Sequence, residues 1–335
     1  MLDFIVHLGR GKTGSTSIQD TLRVHREELI GVGINYVGLN FEYEAHEFQW
    51  QRPNGWSSLK SMKEEDAISQ LSKKLKECLR HSLKKGYKTV VWSNESLLQN
   101  SKIVIPALSS INQNKINIKF VVYVRNYSAW IQSAYCQWSL KHKTYKGPVQ
   151  SFQQWSEKDF SLGSVLRAWG AVPDTHLYLR NMDSTANLVD DFISLIGGPV
   201  GIEQIRNNDA PQSVALALWA IYNSQITQPV PPIHLKRLLD SAKVTNKKYM
   251  HVDLQGLGAK PSDLAALEDR YSEDLNSVNE LLLSQGQEPL SNDSTIKQAA
   301  NVSTEQLIAG LLDICKSNYE QIQELKSEIN QLKRN

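Results

Sequence analysis

The residues richest in chemistry lie near the start of the chain, in Gly9-Arg10-Gly11-Lys12-Thr13-Gly14-Ser15-Thr16-Ser17. Three glycines let a main chain approach an anion closely. Lys12 and Arg10 add positive charge, and the hydroxyls of Thr13, Ser15, Thr16 and Ser17 add donors. Such a run holds a phosphate when a strand enters it and a helix leaves it. The helix N-terminus then turns backbone N–H groups and the positive end of its dipole toward the anion. The flanks fit: Phe4, Ile5, Val6 and Leu8 read as a buried strand over 3–8, and Ile18, Leu22, Leu29 and Ile30 carry a helical pattern.

Spacing separates the chemistries that use such a turn. Gly9, Gly11 and Gly14 fit G-x-G-x-x-G, the dinucleotide fingerprint. A cationic, hydroxyl-rich loop is unusual for it, and the second strand, expected over 33–37, is followed by no acid better placed than Glu42. Against G-x-x-x-x-G-K-[ST], Gly9 and Gly14 fit, but Ser15 stands where the lysine is required. The lysine comes two residues before the second glycine instead. A lysine within the turn, followed by Gly-Ser-Thr-Ser, resembles the 5′-phosphosulfate loop of sulfotransferases that use 3′-phosphoadenosine-5′-phosphosulfate (PAPS). A strand-to-helix turn without a ligand is the plain alternative.

Other elements must bring further groups to this loop. A lysine-rich amphipathic helix over 62–85 stops at Gly86 and leads to a strand over 88–92, which runs into Ser93-Asn94-Glu95-Ser96. In an open parallel sheet, groups just past the strand ends face the ligand crevice, so Glu95 shares a rim with Lys12 if these strands are neighbours. A cap for the turn at 96–100 is its plain role. After a helix over 101–113, the most strand-like segment, 116–124, ends at Arg125. A helix to about 141 follows, with Ile131, Ala134, Tyr135 and Trp138 on its apolar stripe and Ser133 well off it. Arg125 at a strand end, with Ser133 in the next helix, resembles the 3′-phosphate-binding element of the same sulfotransferases. The resemblance covers roughly residues 1–200, including a strand over 175–179 and a helix over 187–196. Arg206, Asn207 and Asn208 could continue the nucleotide pocket.

The resemblance implies a sulfuryl transfer from PAPS to a hydroxyl or amine, with 3′-phosphoadenosine-5′-phosphate as product and no metal. Lys12 would stabilise the departing phosphate, while Arg10, Gly11, Thr13, Gly14, Ser15, Thr16 and Ser17 cradle the 5′ side. Arg125 and Ser133 would take the 3′-phosphate. The acceptor proton needs a base. Family members acting on polysaccharides use a glutamate, which Glu95 matches; those acting on small alcohols use a histidine, for which His46 is the alternative. His7 lies within the first strand and reads as a core residue, and His142 has no special claim. His46 belongs to an aromatic stretch, 38–58, that reads equally as an acceptor-binding lid or as a packed excursion with its own core. Its aromatics favour a carbohydrate acceptor slightly over a lipid, peptide or small metabolite.

The 335 residues could form one large α/β domain or two small ones. The expected organisation is an α/β domain over 1–285 with a central parallel sheet flanked by helices, P-loop-like. A polar segment over 286–303 and a C-terminal helix over 304–335 follow. A net charge of +2 carries no nucleic-acid signal, and Cys78, Cys136 and Cys315 have no metal spacing and read as reduced thiols. With no basic leader and no apolar run long enough to span a membrane, a cytoplasmic protein is expected. In the last helix Ile308, Leu311, Cys315, Asn318, Ile322, Leu325, Ile329 and Leu332 alternate in steps of three and four, a heptad seam with Glu328 and Lys333 at its flanks. That seam suits a homodimeric coiled coil as well as it suits packing on the chain's own domain. A nucleotide kinase, and a non-catalytic nucleotide-binding module with a C-terminal oligomerisation helix, are the rival functional readings.

Overall fold

Five strands form one all-parallel sheet in the computed structural model: β1 (Leu2–Leu8), β2 (Ile34–Tyr36), β3 (Thr89–Asn94), β4 (Ile116–Val124) and β5 (Thr175–Asn181), in the order β2-β3-β1-β4-β5. The structure describes residues 1–53, 55–111, 113–205, 213–231, 233–245, 247, 258–291 and 304–332. Arg206, Asn207, Asn208, Lys333 and most of the polar segment 286–303 lie outside them. The helices are α1 (Ser15–Val24), α2 (Arg26–Gly31), α3 (Trp56–Lys60), α4 (Glu64–Lys85), α5 (Ser101–Ser109), α6 (Tyr127–Tyr135), α7 (Phe152–Trp155), α8 (Gly163–Gly170), α9 (Leu188–Leu195), α10 (Ser213–Ser224), α11 (Ile233–Ser241), α12 (Pro261–Arg270), α13 (Ser272–Ser284) and α14 (Thr304–Leu332). None of the described helices is long and apolar enough to cross a membrane.

The chain divides into two compact units, each drawing on three segments. The first comprises Met1–Asn126, Phe160–Asn208 and Arg270–Asn292 and holds the whole sheet. Its central strands β1 and β3 are apolar on both faces because helices cover both. Six of the seven β1 residues are buried, and so is every residue of β3. On one face Ile18 and Leu22 of α1, Leu29 of α2 and Val189, Phe192 and Ile193 of α9 share a core with Ile5, Val91, Val121 and Tyr123. On the other, Trp169 of α8 meets Phe120 of β4 at 4.9 Å between ring centroids.

Strand order explains where a ligand can sit. From β1 the chain crosses β3 to reach β2, and from β3 it crosses β1 in the opposite sense to reach β4. Right-handed crossovers in opposite senses send their helices to opposite faces. The C-terminal ends of the adjacent strands β1 and β3 therefore open a crevice between diverging connections.

The second unit comprises Tyr127–Asp159, Asp209–Asp269 and Asp293–Asn335. Its core gathers Val214, Leu218 and Trp219 of α10, Leu239 of α11, Val244 and Ile314 of α14. The helix expected to run to 141 instead widens into a π-helical stretch over Cys136–Lys141, whose Leu140 carbonyl accepts from Asn223 Nδ2 at 2.6 Å. Lys143 is fully buried, its Nζ donating to the carbonyls of Gly147 and Ile226. It is a staple between loops.

Candidate active site

The loop after β1 is built from backbone conformations that favour glycine. Gly11, Lys12 and Gly14 have φ of 68°, 55° and 77°. The left-handed conformation costs a lysine roughly 1–2 kcal/mol, and such strain tends to persist where function requires it. Gly14 is held a second way: a Cβ there would stand 2.0 Å from Leu188 Cδ2 at the start of α9. Gly14→Ala is accordingly expected to cost roughly 2–4 kcal/mol, strain and overpacking together, read as a lower urea midpoint. A midpoint within error of the parent would show that α9 can move away.

Two side chains in this loop find no partner among the described residues. Thr13 is fully buried and Ser15 nearly so, yet Thr13 Oγ1 and Ser15 Oγ have no hydrogen-bond partner among the described residues. Leaving a buried hydroxyl unsatisfied costs about 1–3 kcal/mol, which an anion accepting from it would offset. α1 begins at Ser15 with no side-chain cap and no acid in its first turn, so its N-terminus keeps its affinity for negative charge. The donor set fits a phosphate-like group. Arg10 also braces the loop: its buried guanidinium donates from Nη2 to the Phe160 carbonyl at 2.6 Å, tying the loop to the segment at 160.

Glu95 stands directly across from this loop. Leu8 pairs with Asn94 in the β1–β3 ladder, so the next residues, Gly9 and Glu95, face each other past the strand ends. A Cβ on Gly9 would lie 2.8 Å from Glu95 Cα and 2.7 Å from Ser15 Oγ, so any side chain there would wedge the carboxylate away from the loop. Asn94 fixes the backbone: its Oδ1 accepts from the Ser96 N–H at 2.8 Å, and its Nδ2 donates to the Leu39 carbonyl at 3.0 Å and to Asn40 Oδ1 at 3.2 Å. The capping task open to Glu95 thus falls to Asn94. Glu95 presents an exposed edge, but desolvation by the groups behind it raises its pKa above the ordinary 4.5, against the opposing pull of Lys12.

Arg125 follows β4, the other neighbour of β1. Asp183, just past β5, brings Oδ1 to 3.3 Å from Arg125 Nε and accepts the Asn126 N–H on Oδ2 at 2.7 Å. Asp183 itself is set by Asn181, whose Oδ1 accepts the Asp183 N–H at 2.9 Å. These two residues carried no signal in a single sequence beyond an acid at a strand end. The structure thus brings the Lys12 loop, Glu95 and Arg125 to one rim of one sheet. Ser133 sits half-buried on α6 in the second unit.

The stretch 38–58 is a packed excursion. Phe41 and Trp50 are fully buried and Trp56 nearly so; Phe41 lies 4.8 Å from Trp92 of β3, and Trp50 meets Trp56 edge-on at 6.3 Å. Glu42 accepts the N–H groups of Leu39 and Asn40, closing the turn. His46 is exposed, with Nε2 3.1 Å from the Glu42 carbonyl oxygen. His7 is a core residue, as its place in β1 suggests. Its Nδ1 lies 2.7 Å from Ser93 Oγ, and burial pushes its pKa down to about 3, so the ring stays neutral. Burial also lowers the pKa of His142. No protein-family model matches this chain, and no curated protein matches it with significance.

Proposed function

We propose that this chain is a PAPS-dependent sulfotransferase, moving a sulfuryl group from PAPS to an acceptor hydroxyl or amine. The observation that carries the reading is the lysine-bearing loop, with its buried unsatisfied hydroxyls, set across Gly9 from a carboxylate of raised pKa. A phosphate-binding turn alone would not need that carboxylate. Transfer of a sulfuryl group makes the same demands as phosphoryl transfer, namely in-line positioning and stabilisation of charge on the leaving oxygen. Lys12 supplies that positive charge. The N–H groups of residues 13–17, with the hydroxyls of Thr13, Ser15, Thr16 and Ser17, hold the 5′-phosphate. Glu95 accepts the acceptor's proton, since a carboxylate whose pKa is raised is a better base near neutrality. His46 is the alternative base, on the excursion at 38–58. Arg125 holds the 3′-phosphate. The buried aromatics of 38–58 form a core, so the lean toward a carbohydrate acceptor rests on the glutamate base. Three cysteines without a disulfide suit a cytoplasmic setting.

Recognition of the 3′-phosphate separates this reading from any generic phosphate loop. A guanidinium can grip a phosphate through two parallel hydrogen bonds, which lysine cannot reproduce. Arg125→Ala is expected to weaken 3′-phosphoadenosine-5′-phosphate by about 2–3 kcal/mol, at the upper end for a charge-assisted contact, and to leave adenosine 5′-phosphate nearly unaffected. Calorimetry with both nucleotides checks it. Equal binding of the two by the parent, or equal weakening by the substitution, overturns the assignment. Transfer from labelled PAPS to hydroxyl acceptors then distinguishes an enzyme from a nucleotide-binding module.

A further inference from the structure

The last helix wears two different faces. Over its first turns Leu307 and Ile314 of α14 join the core of the second unit, and a Cβ on Gly310 would meet Val214 Cγ1 at 2.8 Å. Ser317 Oγ donates to the Ser241 carbonyl at 3.4 Å, and Lys247 pairs with Asp313 at 2.6 Å. Ile308, Leu311, Cys315 and Asn318 lie around the helix from that packed face and are exposed. From Asn318 to the helix end every described side chain is exposed, including Ile322 at 49%, Leu325 at 56% and Leu332 at 75%. An isolated helical segment of this length is marginal in water unless a partner covers its apolar side.

We propose that this seam pairs with the same seam of a second copy, as a parallel, in-register, two-stranded coiled coil. Three features select that occupant. Isoleucine falls at the first core position of the heptad (Ile308, Ile322, Ile329) and leucine at the second (Leu311, Leu325, Leu332), the distribution that favours two parallel strands. Asn318 occupies a core position, where its amide both donates and accepts. Opposite its own copy it is satisfied, whereas opposite an apolar partner it would be stranded. The exposed seam leucines and isoleucines, with flanking Leu312 and Tyr319, run as one continuous apolar stripe along the helix, the kind of patch that marks an interaction surface. The pairing leaves the α14 turns that pack on the second unit untouched and does not depend on the proposed transferase activity.

Parallel register makes Cys315 of one copy face Cys315 of the other, while an antiparallel pair would set them far apart. Sedimentation equilibrium of the full chain is expected to give the mass of two copies. Mild oxidation with diamide is expected to give a covalent dimer on a non-reducing gel, which Cys315→Ser abolishes without changing the sedimented mass. Ile322→Asp with Leu325→Asp, both on exposed positions, is expected to give a monomer, as is truncation after Ser317, which keeps the packed turns. Circular dichroism of both variants shows whether the rest stays folded. A monomeric parent, a trimer, a dimer that does not link through Cys315, or a dimer that survives both variants overturns the proposal.

Discussion

Glu95→Gln is expected to lower turnover by roughly a hundred- to ten-thousandfold, the usual cost of removing a positioned general base, while product-nucleotide affinity changes little. Glutamine keeps the size and the position set by Asn94, so a loss of rate reports the missing proton acceptor. Two pH signatures follow from the raised pKa of Glu95. The base works only when ionised, so kcat/KM should rise with pH through a limb centred above the ordinary glutamate value of 4.5, and the variant should lack that limb. Stability should run the other way. A carboxyl whose folded pKa exceeds its unfolded value favours the fold most at low pH, and that contribution is lost as pH rises through the folded pKa. At neutral pH the ionised Glu95 is therefore a burden, and Glu95→Gln should raise Tm there but not at pH 3. His46→Ala is expected to lose less rate; the reverse ranking would move the base to His46.

The parts of this site that a single sequence reveals are those that local pattern dictates. In a parallel sheet covered on both faces, strands are continuous apolar runs, so β1, β3 and β4 stand out and the polar residues that end them mark the rim. Lys12, Glu95 and Arg125 were found that way. What joins them was not legible, because strand order is set by contacts far apart in the chain. That β3 lies beside β1, with Gly9 against Glu95, appears only in the fold.

Other differences share this origin. The Phe160 carbonyl that takes a hydrogen bond from Arg10 comes from far along the chain, a partner that no local pattern announces. α12 and α13 are separated only by Tyr271, whose buried side chain turns its hydroxyl to accept the Phe160 N–H at 3.1 Å. The excursion at 38–58 shows no clean period because its aromatics pack on Trp92 and on one another, not along one helix or strand face. For α14, periodicity showed the seam but not the adjoining face through which Leu307, Gly310 and Ile314 hold the helix to its own unit.

Lys12→Ala should reduce turnover by about a hundredfold or more, because a positioned cation acts on charge that grows in the transition state. Affinity for the product nucleotide should fall much less, since the backbone cradle and the Thr13 and Ser15 hydroxyls remain. Two controls separate electrostatics from conformation. Lys12 has φ of 55°, so Lys12→Gly relieves the strain and should be more stable than Lys12→Ala by roughly 1 kcal/mol, with the same loss of rate. Lys12→Arg keeps the charge but replaces a compact ammonium with a planar fork, and should recover only part of the rate. The substitution should also be felt across Gly9. Lys12 is the charge that holds the Glu95 pKa down against desolvation, so its removal should move the acid limb of kcat/KM to higher pH. A Lys12→Ala enzyme with half the parent turnover, or with an unmoved acid limb, would mean that the loop binds an anion without taking part in its chemistry.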